Sequence, residues 1–283
     1  MKMALFSGFS GFSGRKAGFA AVLLGAGLFS LGGLAGHSAY AQSGAAASST
    51  AETLDVAVRY VAPPFVGGSK VRTPESPETF LISDAAKRAH QVSRLLPLPD
   101  PIALEAPEAD AVLATLPKEQ LADYPGEVIP TGYIARPMAI MRTDTDIKRW
   151  DQLKGRTVCL SQDGLYVGRI AQHYGAVEQV YRAPADALLA VRTGECDAAV
   201  HDEAMLLELI KFPEWKKFSA RLPAGEVAVQ AFLVNGRDRA LAMSLKNAVD
   251  AWKSERYLAE LAKTMARDIA FEVYLDQTVP DCH

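Results

Sequence analysis

The sequence predicts an α/β protein of two lobes, with a ligand cleft between them and a reduced first lobe. Three observations carry this. Residues 156–212 read as strand, helix, strand, helix, strand, helix, the alternation of a parallel sheet covered by helices. The run EADAVLATLP at 108–117 has the same shape as ECDAAVHDEA at 195–204: an acid, one residue, Asp-Ala, then a short apolar strand. That internal echo argues for two similar units. Extended runs at 133–143 and 227–235 are the expected crossings between them. Two α/β units joined by crossing strands leave a cleft where a small ligand fits.

The elements follow in order. LDVAVRYVAPPFV at 54–66 starts as an alternating strand and stops at Pro63-Pro64. Residues 76–96 are expected to be helical, and 97–107, with four prolines, irregular. Strands are expected at 109–116, 156–162, 177–183, 196–202 and 226–235, with extended, proline-crossed chain at 127–144. A short helix at 146–155 ends at Gly155. Further helices are expected at 164–175, stopped by Gly175, at 184–195, with Pro184 in its first turn, and at 203–212. From 238 to about 267 the pattern is one long helix or two. The expected division gives 54–135 and 236–283 to the first lobe and 136–235 to the second.

The N-terminus sets the compartment. Lys2, Arg15 and Lys16 precede an apolar run at 18–36, and Ala39-Tyr40-Ala41 is a small-x-small cleavage signal. This is the pattern of a secretory signal peptide over 1–41. An Ala/Ser/Gly-rich flexible leader follows at 42–53. Export to the periplasm is expected. Losing the three basic residues takes the formal net charge from −3 to about −6. A mildly acidic chain without a basic run argues against nucleic acid as a partner. In an oxidising compartment, cysteines in folded segments pair. Cys159 and Cys196 both fall in strand-like runs and are expected to be bonded, while Cys282 is next to the last residue. In the chain-entropy model that bond stabilises the fold by roughly 4 kcal/mol.

Three stretches carry a resemblance. LDVAVRYVAPPFV is similar to an opening strand with a Pro-Pro-Phe corner. WDQLKGRTVCLSQDG (150–164) is similar to a DLKGK-strand-x-x-G passage into a second lobe. ALLAVRTGECDAAVHDEAML (187–206) is similar to an AL-x-x-G-x-x-D-strand-D segment. Together they resemble the periplasmic solute-binding proteins of ABC importers, in particular the polar amino-acid-binding family, family 3 type. The likeness covers most of 54–265 and is stronger in the second lobe. It implies the two-lobed periplasmic-binding-protein fold and capture of a small polar solute, an amino acid among the candidates. It also implies delivery of that solute to an inner-membrane ABC permease. It implies a monomer with no cofactor and no catalysis.

The resemblance also implies a site. Asp202, after the second-lobe strand, would hold the ligand's α-ammonium through a charge-assisted hydrogen bond. A carboxylate at the C-terminal end of a strand faces the cleft. Asp202 is equally well placed as N-cap of the helix at 203–212, and the two roles are compatible. The SQDG loop, with Ser161, Gln162 and Gly164, would offer backbone N–H groups to an anion at a helix start. Leu165 stands where the family often has a hydroxyl. The first lobe departs further. LATLPKEQLADYPGE (113–127) lacks the arginine that takes the ligand carboxylate, and Lys118, a poorer fork, is the cation there. Arg72 and Arg136 are the other candidates. Ala62 replaces an aromatic, with Tyr60 two residues back. Thr115 completes the expected ligand-binding set.

Other chemistries are less well supported. His201, Asp202 and Glu203 are consecutive, so on a strand only His201 and Glu203 share a face, and no second His or Cys has metal-ligand spacing to them. No metal is expected. There is no G-x-S-x-G elbow and no phosphate loop. Two alternatives share the fold. One is a periplasmic accessory protein serving a quinone-dependent dehydrogenase or another protein partner. The other is a cleft dehydratase using Asp202, Glu203 or His201 as acid or base.

Overall fold

A computed structural model describes residues 52–63, 70–74, 76–99 and 104–277. The expected signal peptide, the leader up to residue 51, Pro64 and Phe65 of the corner, and Cys282 lie outside the described residues.

The first sheet is built from β1 (Thr53–Val58), β2 (Val92–Pro97), β3 (Ala111–Leu116), β4 (Glu127–Ala135) and β10 (Ala228–Val234), in the order β2-β1-β3-β10-β4. The second holds β5 (Pro137–Met141), β6 (Thr157–Ser161), β7 (Val177–Tyr181), β8 (Ala198–Asp202) and β9 (Ala220–Arg221), in the order β7-β6-β8-β5-β9. The two orders are the same pattern. In each, four strands run in one direction and a single strand, β10 or β5, runs against them between the third and the last. The reduction expected of the first lobe lies in its helices. Among the described residues between β1 and β4 they are α1 (Glu78–Arg88) and the five-residue α2 (Lys118–Ala122).

The internal echo has a structural cause. Asp110 and Asp197 each precede the central parallel strand of their sheet. The Asp110 carboxylate accepts from the Asp55 N–H at 2.8 Å, and the Asp197 carboxylate accepts from the Thr157 N–H at 2.9 Å. Their own N–H groups return the bond to the carbonyls of Asp55 and Thr157. One carboxylate thus satisfies an orphan donor at the mouth of the neighbouring strand in both lobes. The Asp-Ala repeat is a device for starting strands.

Two expectations about helices change. The helix expected over 76–96 stops at Arg88, because His90 takes φ 58 and turns the chain back. Residues 92–97 then form the parallel edge strand β2. The helix expected from 164 begins only at Arg169, as α3 (Arg169–Tyr174). α4 (Pro184–Thr193) has Pro184 in its first turn and Gly194 at φ 84 as its C-cap, as its sequence predicts. α5 (Glu203–Leu209) follows β8 directly.

The lobe boundaries also shift. β10 pairs with β3 and β4, so 228–234 belong to the first sheet and the second crossing runs through 222–227. The C-terminal pattern resolves into α6 (Arg239–Glu255) and α7 (Tyr257–Asp276), broken at Arg256 with φ 56. α6 packs on β4 and β10 of the first sheet, whereas α7 packs on α4 and α5 of the second lobe. The described part of the stretch expected in the first lobe, 236–277, is therefore shared between lobes. One apolar cluster runs from Leu54 and Phe232 through Trp252 and Ile269 to Leu188 and Leu206. Cys159 in β6 is bonded to Cys196 just before β8, with Cα atoms 5.9 Å apart and a separation of 37 residues.

Candidate functional site

Asp202 ends β8, a strand whose five residues are all buried. It occupies the N-cap position of α5, but its side chain makes no capping bond. Its two oxygens instead accept hydrogen bonds from two phenols. Tyr133 in β4 donates to Oδ2 at 2.5 Å, and Tyr166, in the connection from β6 to α3, donates to Oδ1. Asp202 is only 2% exposed. Burial pushes its carboxyl up to about 6, and the two tyrosine hydroxyls work against that shift. A carboxylate held this way is an acceptor solvated by hydroxyl groups rather than by a cation. An ammonium arriving at this point would replace neutral donors by a charged one.

A second buried acid faces the same region from the first lobe. Glu78 opens α1 and is 8% exposed. Ser76 Oγ donates to its carboxylate. Burial raises the Glu78 carboxyl to about 7, the Ser76 bond and the charge of Arg59 oppose this, and the charges of Asp202 and Asp163 add to it. Arg59 follows β1 directly, and its guanidinium reaches the other lobe to donate to the Asp163 carbonyl. Tyr60 feels the charges of Asp163 and Arg182. Arg59 and Tyr60, just after β1, and Glu78, at the start of α1, thus interact with Asp163 and Asp202 of the second lobe. Arg59, Asp163 and Asp202 lie at or just beyond the C-terminal ends of β1, β6 and β8, parallel strands of their sheets, where open α/β sheets receive ligands.

The expected residues divide between this cluster and other places. Asp202 and Tyr60 belong to it. Ser161 ends β6 and is 1% exposed. The SQDG loop does not open a helix: the Gln162 N–H donates to the Tyr181 carbonyl and the Gly164 N–H to the Ser161 carbonyl, closing a turn. The donors at the start of α3 are taken internally. Gly168 N–H and Ala171 N–H donate to the Glu178 carboxylate at 2.7 and 2.8 Å. The loop holding Ser161, Gln162 and Gly164 is therefore a turn rather than a helix start, with the Gln162 and Gly164 N–H groups taken by backbone carbonyls. Thr115, in β3, accepts from Gln230 Nε2 at 3.5 Å. Lys118 is exposed on α2.

Arg72 has a different role from the one expected. Its guanidinium donates to Asp186 at 2.5 Å and to Asp276, with Glu272 at 3.8 Å. Thr73 donates to Glu272 through both its N–H, at 2.8 Å, and its hydroxyl, at 2.5 Å. Lys70 pairs with Asp276. Residues 70–74 therefore strap the first lobe to α4 and the end of α7. Arg136 lies 3.6 Å from Glu203. His201 is buried, its Nδ1 accepts from the Asp202 N–H at 2.6 Å, and burial lowers its pKa to about 3, so it is a neutral acceptor. No group of three or more His, Cys, Asp or Glu able to hold a metal ion occurs among the described residues.

Reasoning from the sequence missed Arg59, Glu78, Tyr133 and Tyr166. Arg59 and Glu78 carried a readable signal, since Arg59 lies in the run expected as the opening strand and Glu78 near the start of the helix expected at 76–96. Tyr133 and Tyr166 carried none, because their convergence on Asp202 spans 69 and 36 residues of sequence.

No family model and no curated protein matches the chain. Solved structures do. YckB of Bacillus subtilis aligns over 77% of this chain and 92% of its own, with 20% identity and a TM-score of 0.52. The amino acid ABC transporter substrate-binding protein AbpA of Streptococcus pneumoniae, bound to L-arginine, aligns over 77% and 96%, with 14% identity and a TM-score of 0.52. A mutant of ArgBP from T. maritima aligns over 74% and 93%, with 17% identity and a TM-score of 0.50. At these identities the likeness concerns architecture, and it agrees with the paired five-stranded sheets and the crossings between them. The chain has the two-lobed α/β fold of the substrate-binding proteins of amino acid ABC transporters.

Proposed function

We propose that this protein is an exported member of the polar amino-acid-binding family. It captures a small solute carrying an ammonium group between its lobes and delivers it to an ABC permease of the inner membrane. The observation that carries the reading is Asp202, a buried carboxylate at the C-terminal end of β8. Polar groups from both lobes converge on it. AbpA, which shares the fold, is bound to L-arginine. Solute binding would displace the Tyr133 and Tyr166 hydroxyls from Asp202 and exchange two neutral donors for one ammonium. No helix among the described residues is long and apolar enough to cross a membrane. Export as a periplasmic monomer without cofactor rests on the N-terminal pattern and the resemblance.

The test is a thermal-shift screen of the chain from residue 42 onward, against amino acids, polyamines, carboxylates and sugars. A solute present at 100 times its dissociation constant stabilises a fold by about 2.7 kcal/mol. A shift with an amino acid supports the reading. A flat response across the panel on a folded protein overturns it.

One observation favours a second reading. The two lobes share a continuous apolar cluster through α7, and the 70–74 strap ties them together. Lobes fixed in this way suit a protein that presents a surface to a partner, such as a quinone-dependent dehydrogenase, rather than one that opens and closes. A flat solute screen together with stable capture of such an enzyme is its expected outcome.

A further inference from the structure

Two carboxylates from opposite lobes are buried in one seam. Glu78 opens α1 in the first lobe, and Asp202 ends β8 in the second. The bonds that reach them come from neutral donors. Ser76 Oγ donates to Glu78, while the Tyr133 and Tyr166 hydroxyls and the Arg136 N–H donate to Asp202. The Arg59 guanidinium, the nearby cation, donates across the seam to a backbone carbonyl, that of Asp163. We propose that Glu78 is a proton-operated latch between the lobes: protonated, it lets the seam stay closed, and ionised, it drives the seam open. The latch does not depend on which solute, if any, the recess takes.

The charged and titratable groups acting on Glu78, among the described residues, are Arg59 after β1, Asp202, Asp163 between β6 and α3, and Tyr133 of β4. Around Asp202 stand Tyr133, Tyr166 and the neutral His201, while Glu203 beside it faces Arg136 at 3.6 Å. One cation therefore stands against three acids. Like charges repel more strongly in a desolvated seam than in water, and an unpaired buried charge is costly. Parting the lobes returns Glu78 to water, where its charge is solvated. With the seam closed, burial first and the facing acids after it hold the Glu78 carboxyl at about 7, against an ordinary 4.5. The closed form thus keeps a proton that the open form releases. Closure is favoured fully below the ordinary value, and that advantage is lost as pH rises through 7. Asp202, at about 6 against 3.8, acts in the same direction over a lower range. The strap does not share this response. Its Asp276 is held below the ordinary carboxylate range by the bond from Lys70, which with Arg72 outweighs burial.

The experiment is hydrogen-exchange mass spectrometry of the ligand-free wild type, Glu78→Gln and Asp202→Asn at pH 6 and pH 8. Each rate is divided by its intrinsic exchange rate, so that protection reports the opening equilibrium. The seam is read on peptides covering 133–137 and 161–168, and the core of the first sheet on 111–116. The expected result is a seam that exchanges faster than the sheet core. From pH 6 to pH 8 its protection falls about 10-fold further in wild type than in Glu78→Gln, the one-proton effect over that range. Asp202→Asn removes the charge on the facing lobe, so its fall is smaller than that of wild type, and it carries the test if Glu78→Gln does not fold. Falls of the same size in wild type and in the variants overturn the latch. Seam and sheet peptides exchanging at one common rate also overturn it, because the lobes then part only when the whole fold opens.

Discussion

Glu78→Gln is the substitution that tests the buried cluster most directly. Glutamine keeps the size of the side chain and can still accept from Ser76, but it cannot ionise. The folded-state pKa of Glu78 is about 7 against an ordinary value of 4.5, raised chiefly by burial. A group raised in this way favours the folded state fully below its unfolded pKa. That advantage is lost as pH rises through the folded value. At pH 8 the wild type keeps a buried carboxylate ionised, and at pH 5 it has largely taken up a proton. With each pKa unit equivalent to about 1.4 kcal/mol, Glu78→Gln should gain about 2 to 3 kcal/mol relative to wild type between pH 5 and pH 8. For a fold of this size that is roughly 5 to 10 °C in relative Tm. Asp202 and His201 titrate in both proteins and largely cancel in the difference. The assay is differential scanning calorimetry of both proteins, ligand-free, at the two pH values. A Tm difference that is the same at pH 5 and pH 8 would refute the claim that Glu78 is desolvated beside Asp202.

The remaining predictions address other parts of the molecule. Cys196→Ser should lower the stability of the oxidised protein by roughly 4 kcal/mol, seen as a lower denaturant midpoint that matches the reduced wild type. Asp202→Asn should weaken any ammonium-bearing solute at least 10-fold by calorimetry, and unchanged affinity would leave Asp202 as a purely structural acceptor for the two tyrosines. Asp197→Ala should cost about 1 to 2 kcal/mol in denaturant melts, because the Thr157 N–H loses a charged acceptor. Arg72→Ala should destabilise by about 1 to 3 kcal/mol, with a smaller effect at high salt, since it leaves Asp186, Glu272 and Asp276 without their shared cation.

Much of the second lobe was legible because its signals are local. Pro184 and Gly194 delimit α4, the β6-α3-β7-α4-β8 alternation follows hydrophobic period, and the cysteine pair follows from export and strand position. In the first lobe, residues 89–97 were misread because the chain reverses at His90, a φ > 0 residue with no glycine to announce it. The helix start assigned to the SQDG loop failed for a related reason. Glu178, on the next strand, binds the α3 donors, and a contact between elements leaves no mark at the loop itself. Arg72 illustrates the same limit from the other side. An arginine in a loop is a reasonable candidate for a carboxylate, and only the approach of α7 shows which carboxylates it has.

The sequence by itself determined the α/β class, the two similar units, the bonded cysteines, and Asp202 as a carboxylate at a strand end. The class follows from side-chain period and turn chemistry, the two units from the repetition of Asp-Ala, and the cysteine pair from export and strand position, signals each read from short stretches of chain. Tertiary structure alone decided that α7 packs on the second lobe, that residues 70–74 form a strap, and that Tyr133, Tyr166, Glu78 and Arg59 gather around the cleft. These depend on contacts between segments distant in the chain. Whether a buried carboxylate meets a phenol, a serine or a guanidinium is set by how the two sheets pack, because the low dielectric between them makes each polar group find a partner.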